Sequence, residues 1–249
     1  MLEQLHFNKD TMRELLKIAL PMVVSQGAFA VMIFTDRYFM SQIDPTHMAA
    51  ALGGGVACFF SFCFFSGLLS YGNAMAAQYL GAGEPEKCPK VVTQGFIMAM
   101  MSIPALVVIT YFVSGIFENM GHDSRQVELE RTYYTILMLG IVVTLAKICL
   151  SSYFAGIART HVVMICDVFG LIINVPLSYV MVFGKLGFPA LGIVGAGVST
   201  IVATILGFLA FVSFYLAKEH REKFRVMESF HLDRGILRRF LRLGFPSGM

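Results

Sequence analysis

Six long apolar runs alternate with short polar breaks along this chain. They fall near residues 14–40, 48–79, 90–117, 130–156, 161–183 and 192–217. Each reaches the ~20 residues that an α-helix needs to cross a bilayer. The breaks are SQIDPTH, GAGEPEKCP, ENMGHDSRQVELE, ARTH and GKLGFPAL, and a longer charged stretch, AKEHREKFRVMESFHLDRGILRR, follows the sixth run. The pattern predicts an all-α polytopic membrane protein, a bundle of six transmembrane helices. Composition agrees. Only 14% of the residues are charged and mean hydropathy is +0.71, against about 25% charged in a soluble domain.

The distribution of basic residues orients the bundle. Lys9, Arg13 and Lys17 precede helix 1, Lys87 and Lys90 follow helix 2, and Arg159 follows helix 4. Lys218, Arg221, Lys223, Arg225, Arg234, Arg238 and Arg239 follow helix 6, whereas the opposite side carries Arg37, Arg125, Arg131 and Lys185. The N-terminus and even-numbered loops are therefore expected in the cytoplasm. The amphipathic start MLEQLHFNKDTMRELLK lacks the apolar core and cleavage site of a signal peptide.

The two ends of the chain resemble each other. RELLKIALP at 13–21 aligns with RRFLRLGFP at 238–246, each after a cytoplasmic segment and ahead of an apolar helix. The expected organisation is a six-helix lobe at 1–217, a cytoplasmic connection at 218–237, read as a solvated helix, and the first turns of a seventh helix at 238–249. An even number of crossings relates such lobes as parallel repeats about an axis along the membrane normal.

Charge inside the membrane costs roughly 2.5–3.5 kcal/mol by insertion assays and needs a reason. Asp36, Lys147 and Asp167 fall inside the apolar runs, with Arg37 beside the first. Asp36 lies about 28 Å beyond Lys17 along helix 1. It is either a headgroup-level partner of Arg37 or a cation site. Asp167, Asn174 and Ser178 share one face of helix 5. Pro176 frees the carbonyl of Ile172 as a second hard-cation ligand, or the face is a packing stripe. Lys147 calls for a partner, Asp167 or Asp36. Pro21, Pro104 and Pro176 mark helices that can kink. Four of the five cysteines, Cys58, Cys63, Cys149 and Cys166, sit in apolar runs as buried thiols, and Cys88 sits in a polar loop. GAGE at 81–84 lacks the Lys-Ser/Thr of a phosphate loop. With no zinc spacing, nucleophile triad or nucleotide motif, neither an enzyme, a cofactor nor a nucleic-acid partner is expected.

Several stretches together resemble the multidrug and toxic compound extrusion (MATE) transporters, over essentially the whole chain. They are IALPMVVSQ and TDRYFMSQID in helix 1, AQYLGAGEPEK after helix 2, and NVPLSYVMVFGKLGFPALGIVGAGVST from helix 5 into helix 6. The resemblance implies one lobe of a twelve-helix plasma-membrane antiporter, in a bacterial cell or inner membrane, that exports organic, often cationic, drugs in exchange for Na+ or H+. It implies a cation site at Asp36 and Asn174, with Ser178 and Thr200 contributing hydroxyls; these two loci are the expected Na+ ligands. Thr200 equally fits a threonine bonded back to its own helix. Ser178 departs from the family pattern, which usually has Asn or Asp there, and that leaves proton coupling through Asp36 open. Asp167 matches no family position. Two other readings fit the sequence. One is a lipid-linked oligosaccharide flippase, which calls for a more cationic cavity. The other is a fragment lacking the C-terminal lobe, with no transport activity of its own.

Overall fold

The computed structural model describes residues 9–248, so the first eight residues of the amphipathic start, and Met249, lie outside the described residues. The six expected crossings are present, but three of them are split into two helices and two of these bend sharply. Helix α1 (Lys9–Ser41) is one continuous rod. The second crossing is α2 (Pro45–Ser70) and α3 (Gly72–Gly81), and the third is α4 (Cys88–Met101) and α5 (Ile103–Ile116), bent by 41°. The fourth is α6 (Ser124–Leu139) and α7 (Ile141–Gly156), bent by 48°. Helices α8 (Thr160–Phe183) and α9 (Ile193–Leu216) complete the bundle. Four helices are individually long and apolar enough to cross a membrane, and six spans result when each bent pair counts as one. The protein is a multi-pass membrane protein.

The breaks only partly follow the prolines. Pro104 opens α5 just after the bend at Ser102. Pro21 and Pro176 instead sit inside the unbroken α1 and α8, because a helix packed along a neighbour tolerates one missing hydrogen bond. The sharper bend lies at Gly140, where a Cβ would come within 2.7 Å of Ile201 Cγ1. No proline lies at that break; Gly140 there leaves room for Ile201 of α9. Helix α6 also starts earlier than the hydropathy suggests. Asp123 caps it by accepting from the Arg125 amide at 3.1 Å, so Ser124–Glu130, expected as loop, is helical.

The main core gathers Tyr134, Leu145, Leu150, Tyr153, Phe154 and Phe211 between α2, α4, α6, α7 and α9. Glycines let the rods approach. At Gly156 a Cβ would sit 2.5 Å from the Asn73 carbonyl oxygen and 2.8 Å from Ala76 Cβ, so α7 rides directly on α3. Gly184 closes α8 at φ +66, a left-handed turn in which a side chain would also strike Ala190. Four cysteines are buried and Cys63 is half-buried. Cys88, expected in a polar loop, is fully buried at the start of α4 and donates to the Ala76 carbonyl.

The stretch after α9 is not a solvated linker. Short helix α10 (Lys218–Phe224) leads through a 3-10 turn at Val226–Ser229 to α11 (Arg234–Gly248). His220, Phe224, Val226, Ser229, Ile236 and Phe240 are all buried against the lobe. Residues four apart on each short helix form an apolar stripe that a charge-rich composition conceals. Helix α11 begins at Arg234, four residues ahead of the expected boundary, and lies on α2, with Gly244 against the Leu68 carbonyl and Phe245 edge-on to Phe64.

His220 anchors this docking. Arg159 Nη1 donates to its Nδ1 at 3.3 Å, so Nε2 carries the proton and donates to the Tyr153 hydroxyl at 2.9 Å. Burial, then the Arg159 and Lys223 charges, push its pKa down to about 4. The imidazole is therefore neutral when folded and charges at higher pH once the chain unfolds. This contribution is intact above about pH 6.5 and is lost as pH falls towards 4. Thermal unfolding in detergent should show the melting temperature falling between pH 6.5 and 4.5, with a smaller fall in His220→Phe. Gly156→Leu should lower the melting temperature at every pH, at a cost of about 1–3 kcal/mol or more from overpacking.

Candidate functional site

Helices α1 and α8 run parallel and side by side. Among the α1 side chains described, only Ser25, Ala28, Asp36 and Met40 are buried, a single stripe facing inward. Asp36 is 5% exposed, and Asn174 and Ser178 of α8 are fully buried. Ser178 Oγ donates to Asp36 Oδ1 at 2.9 Å and Thr200 Oγ1, from α9, reaches Asp36 Oδ2 at 3.1 Å. Asn174 Nδ2 donates to Thr200 Oγ1 at 3.4 Å. The four residues expected at the cation site thus form one cluster where α1, α8 and α9 meet. Above it, Met40, Ala50, Ala51, Tyr133, Val182, Ile193 and Ala196 make a small apolar cluster.

Two features leave this cluster short of hydrogen-bond partners. Thr200 has one hydroxyl proton but two acceptors, Asp36 Oδ2 and the Ala196 carbonyl at 2.9 Å. Both readings of Thr200 are thus realised, and it serves one acceptor at a time. Asn174 Oδ1 is buried with no partner, an arrangement that costs about 1–3 kcal/mol unless something fills it. The available donors are all oxygens, which suits a hard cation. The Ile172 side chain is exposed, and the contacts described within the cluster are between side chains, without the Ile172 carbonyl. Asp36 is not paired with Arg37; among the described residues no ion pair involves that arginine.

Asp36 and Thr200 also line a cavity of about 410 Å3 between α1, α2, α6, α7 and α9. Its walls are mostly apolar and aromatic, with Phe29, Met32, Phe59 and Tyr133 among them, and Arg37 lines it as well. Lys147 is not part of this wall. It pairs with Asp167 at 2.8 Å, and Ser25 of α1 donates to the other oxygen of the same carboxylate. Of the two partners open to Lys147, the fold selects Asp167.

The MatE family model matches residues 21–180. The chain belongs to the MatE family. The matched part of the MatE chain includes Asp36, Asn174 and Ser178, while Thr200 lies beyond it. The sequence is 30% identical over 246 residues to the multidrug resistance protein NorM of Vibrio vulnificus (strain CMCP6), covering 97% of this chain and 53% of that protein. In structure it is similar, with a TM-score of 0.82 and 21% identity, to a multidrug resistance MATE family transporter of the MOP superfamily in an outward-facing conformation, covering 94% of this chain and 51% of that one. A eukaryotic MATE transporter, AtDTX14, gives a TM-score of 0.83 at 18% identity, over 95% and 52% of the two chains. These two likenesses concern the fold. The chain spans about half the length of the curated relatives it matches.

One buried charge in this MatE lobe escaped the reading of the sequence. Glu130 of α6 is 1% exposed and bonded to His122 Nδ1 at 3.1 Å and Gln126 Nε2 at 2.9 Å. It sat at the edge of an apolar run, where it counted as loop. The signal was the run Gly53–Gly55 on α2, since a Cβ at Gly53 would fall 2.6 Å from Glu130 Oε1.

Hydrogen bonds to a charged group are worth about 1.5–3 kcal/mol each. Ser178→Ala and Thr200→Val should each lower stability by about that much in thermal unfolding at neutral pH. Repeated in an Asp36→Asn background, both losses should shrink, and the double-mutant cycles measure this coupling.

Proposed function

We propose that this chain is one lobe of a cation-coupled exporter of organic, often cationic, compounds. The carrying observation is the Asp36 carboxylate, set in the wall of an aromatic-lined cavity with a hydroxyl that can serve only part of its need and an orphan amide oxygen beside it. Such an acid is neutralised in one of three ways: by a proton, by a hard monovalent cation held with Asn174 Oδ1, or by a cationic cargo in the cavity. Occupants that compete for one charge exchange with each other, and that exchange is the basis of antiport. The aromatic walls supply apolar area and ring faces that attract organic cations.

The name of the Vibrio relative, a multidrug resistance protein, supports drug-like cargo. Because the relatives are about twice as long, the activity is proposed for this lobe facing a second six-helix lobe. The membrane is proposed to be the bacterial cell or inner membrane, with the N-terminus cytoplasmic. The flippase reading is weaker. It needs a strongly cationic cavity, whereas Lys147, its main support, is held by Asp167 outside the cavity wall, and the one cation among the lining residues, Arg37, shares the wall with Asp36.

Efflux of a fluorescent organic cation from vesicles, with a sodium and a proton gradient imposed separately, tests the proposal. One gradient should drive efflux, and Asp36→Asn should abolish that drive, a loss of at least tenfold, while inserting normally. Full gradient-driven efflux by Asp36→Asn would remove the carboxylate from the mechanism.

A further inference from the structure

The seam between α1 and α8 carries a second carboxylate cluster built on the plan of the first. Ser25 opposes Asp167 and Asp36 opposes Ser178, each pair separated by 142 residues in sequence. The two helices therefore keep strict register across three turns, an axial distance of about 16 Å. At each level a serine on one helix donates to an aspartate on the other, with the roles exchanged between levels. The third partner differs. Asp36 has the neutral Thr200 hydroxyl, whereas Asp167 has the Lys147 ammonium at 2.8 Å.

The lower pair is not sealed. The Lys147 and Asp167 side chains are 24% and 18% exposed. On the α9 side the ammonium faces Gly207, where a Cβ would stand 3.8 Å from Nζ. Cys166 is the other titratable group beside the pair; Ser25 on α1 and Gly207 on α9 bring no charge. An isolated buried salt bridge seldom adds much stability, because desolvation offsets the attraction. A partly exposed pair on the seam that also holds the proposed coupling acid has a better-motivated role in exchange.

We propose that Ser25, Lys147 and Asp167 form a second cation station on this seam, with Lys147 as its tethered occupant and a proton as the exchanging ligand. A proton from water binds an Asp167 oxygen, the carboxylate becomes the neutral acid, and the Lys147 ammonium is released with its charge unchanged. The station rests on the efflux reading only for its role in transport; its proton binding stands apart.

The test therefore begins without cargo. Proton uptake by the full-length protein in detergent is followed with a pH indicator across a stepwise acid titration. Asp167→Asn should take up one proton fewer than wild type. Lys147→Met should keep the count but move the step at which that proton is taken up, because the ammonium that competes for the carboxylate has been removed. Lys147→Arg should restore the wild-type profile. Where Asp167→Asn fails to fold, Lys147→Met combined with Asp167→Asn removes both charges together and should lose the same proton. An unchanged count in the Asp167 variants, or a Lys147→Met profile that overlays wild type, overturns the proposal and leaves a structural ion pair. In parallel, proton counterflow against tetraphenylphosphonium is measured in liposomes. Absence of tetraphenylphosphonium transport under both an imposed proton and an imposed sodium gradient in wild type defeats the efflux reading, while the cargo-free count still decides the station.

Discussion

A carboxylate inside a membrane bundle needs donors or a counter-cation, and this requirement fixes how α1 sits on the lobe. Few α1 side chains are buried, and two of them, Ser25 and Asp36, meet α8 through carboxylate–hydroxyl contacts at matched levels. Slipping α1 by one residue would turn Asp36 away from Ser178 and Thr200 by about 100° and leave both levels unsatisfied. The polar contacts therefore set register, and the apolar stripe of Ala28 and Met40 supplies area. The cavity, the buried Asp36 cluster and the second carboxylate level all depend on that register.

Around this seam the bundle is assembled by close approach rather than by bulk. Gly156 brings α7 onto α3, Gly54 brings α2 onto the α6 backbone, and Gly195 brings α9 onto the end of α8. Without a hydrophobic drive between helices in lipid, such small-residue contacts and interhelical hydrogen bonds carry association. The bend at Gly140 likewise coincides with a close approach, by Ile201 of α9. Docking of α10 and α11 extends the same logic beyond the sixth crossing, where His220 joins Tyr153 and Arg159.

Much of the crossing pattern was legible because a bilayer-spanning helix must be long and apolar, and six runs satisfied that. Asp36 stood out because a charge inside such a run is costly. Glu130 did not, because it lay at the edge of a run where an acid costs nothing in a linear reading. The buried face of residues 218–240 was hidden for a related reason: its apolar positions recur every fourth residue among many charges, and composition averages them away. Prolines overstated the hinges, since a missing hydrogen bond bends a helix only where its neighbours allow it.

From the sequence alone came the helical class, the number of crossings, the family resemblance and the acid worth watching. Each of these follows from local chemistry, from what a stretch of chain must be in order to lie in lipid. The partner of Lys147, the shared register of Asp36 with Ser178 and Asp167 with Ser25, the orphan oxygen of Asn174 and the break at Gly140 were settled only by tertiary structure. These depend on which faces of different helices meet, at separations from 20 residues for Lys147 and Asp167 to 142 for the two serine–aspartate pairs, and spacing along one helix cannot specify the side chain it will face on another.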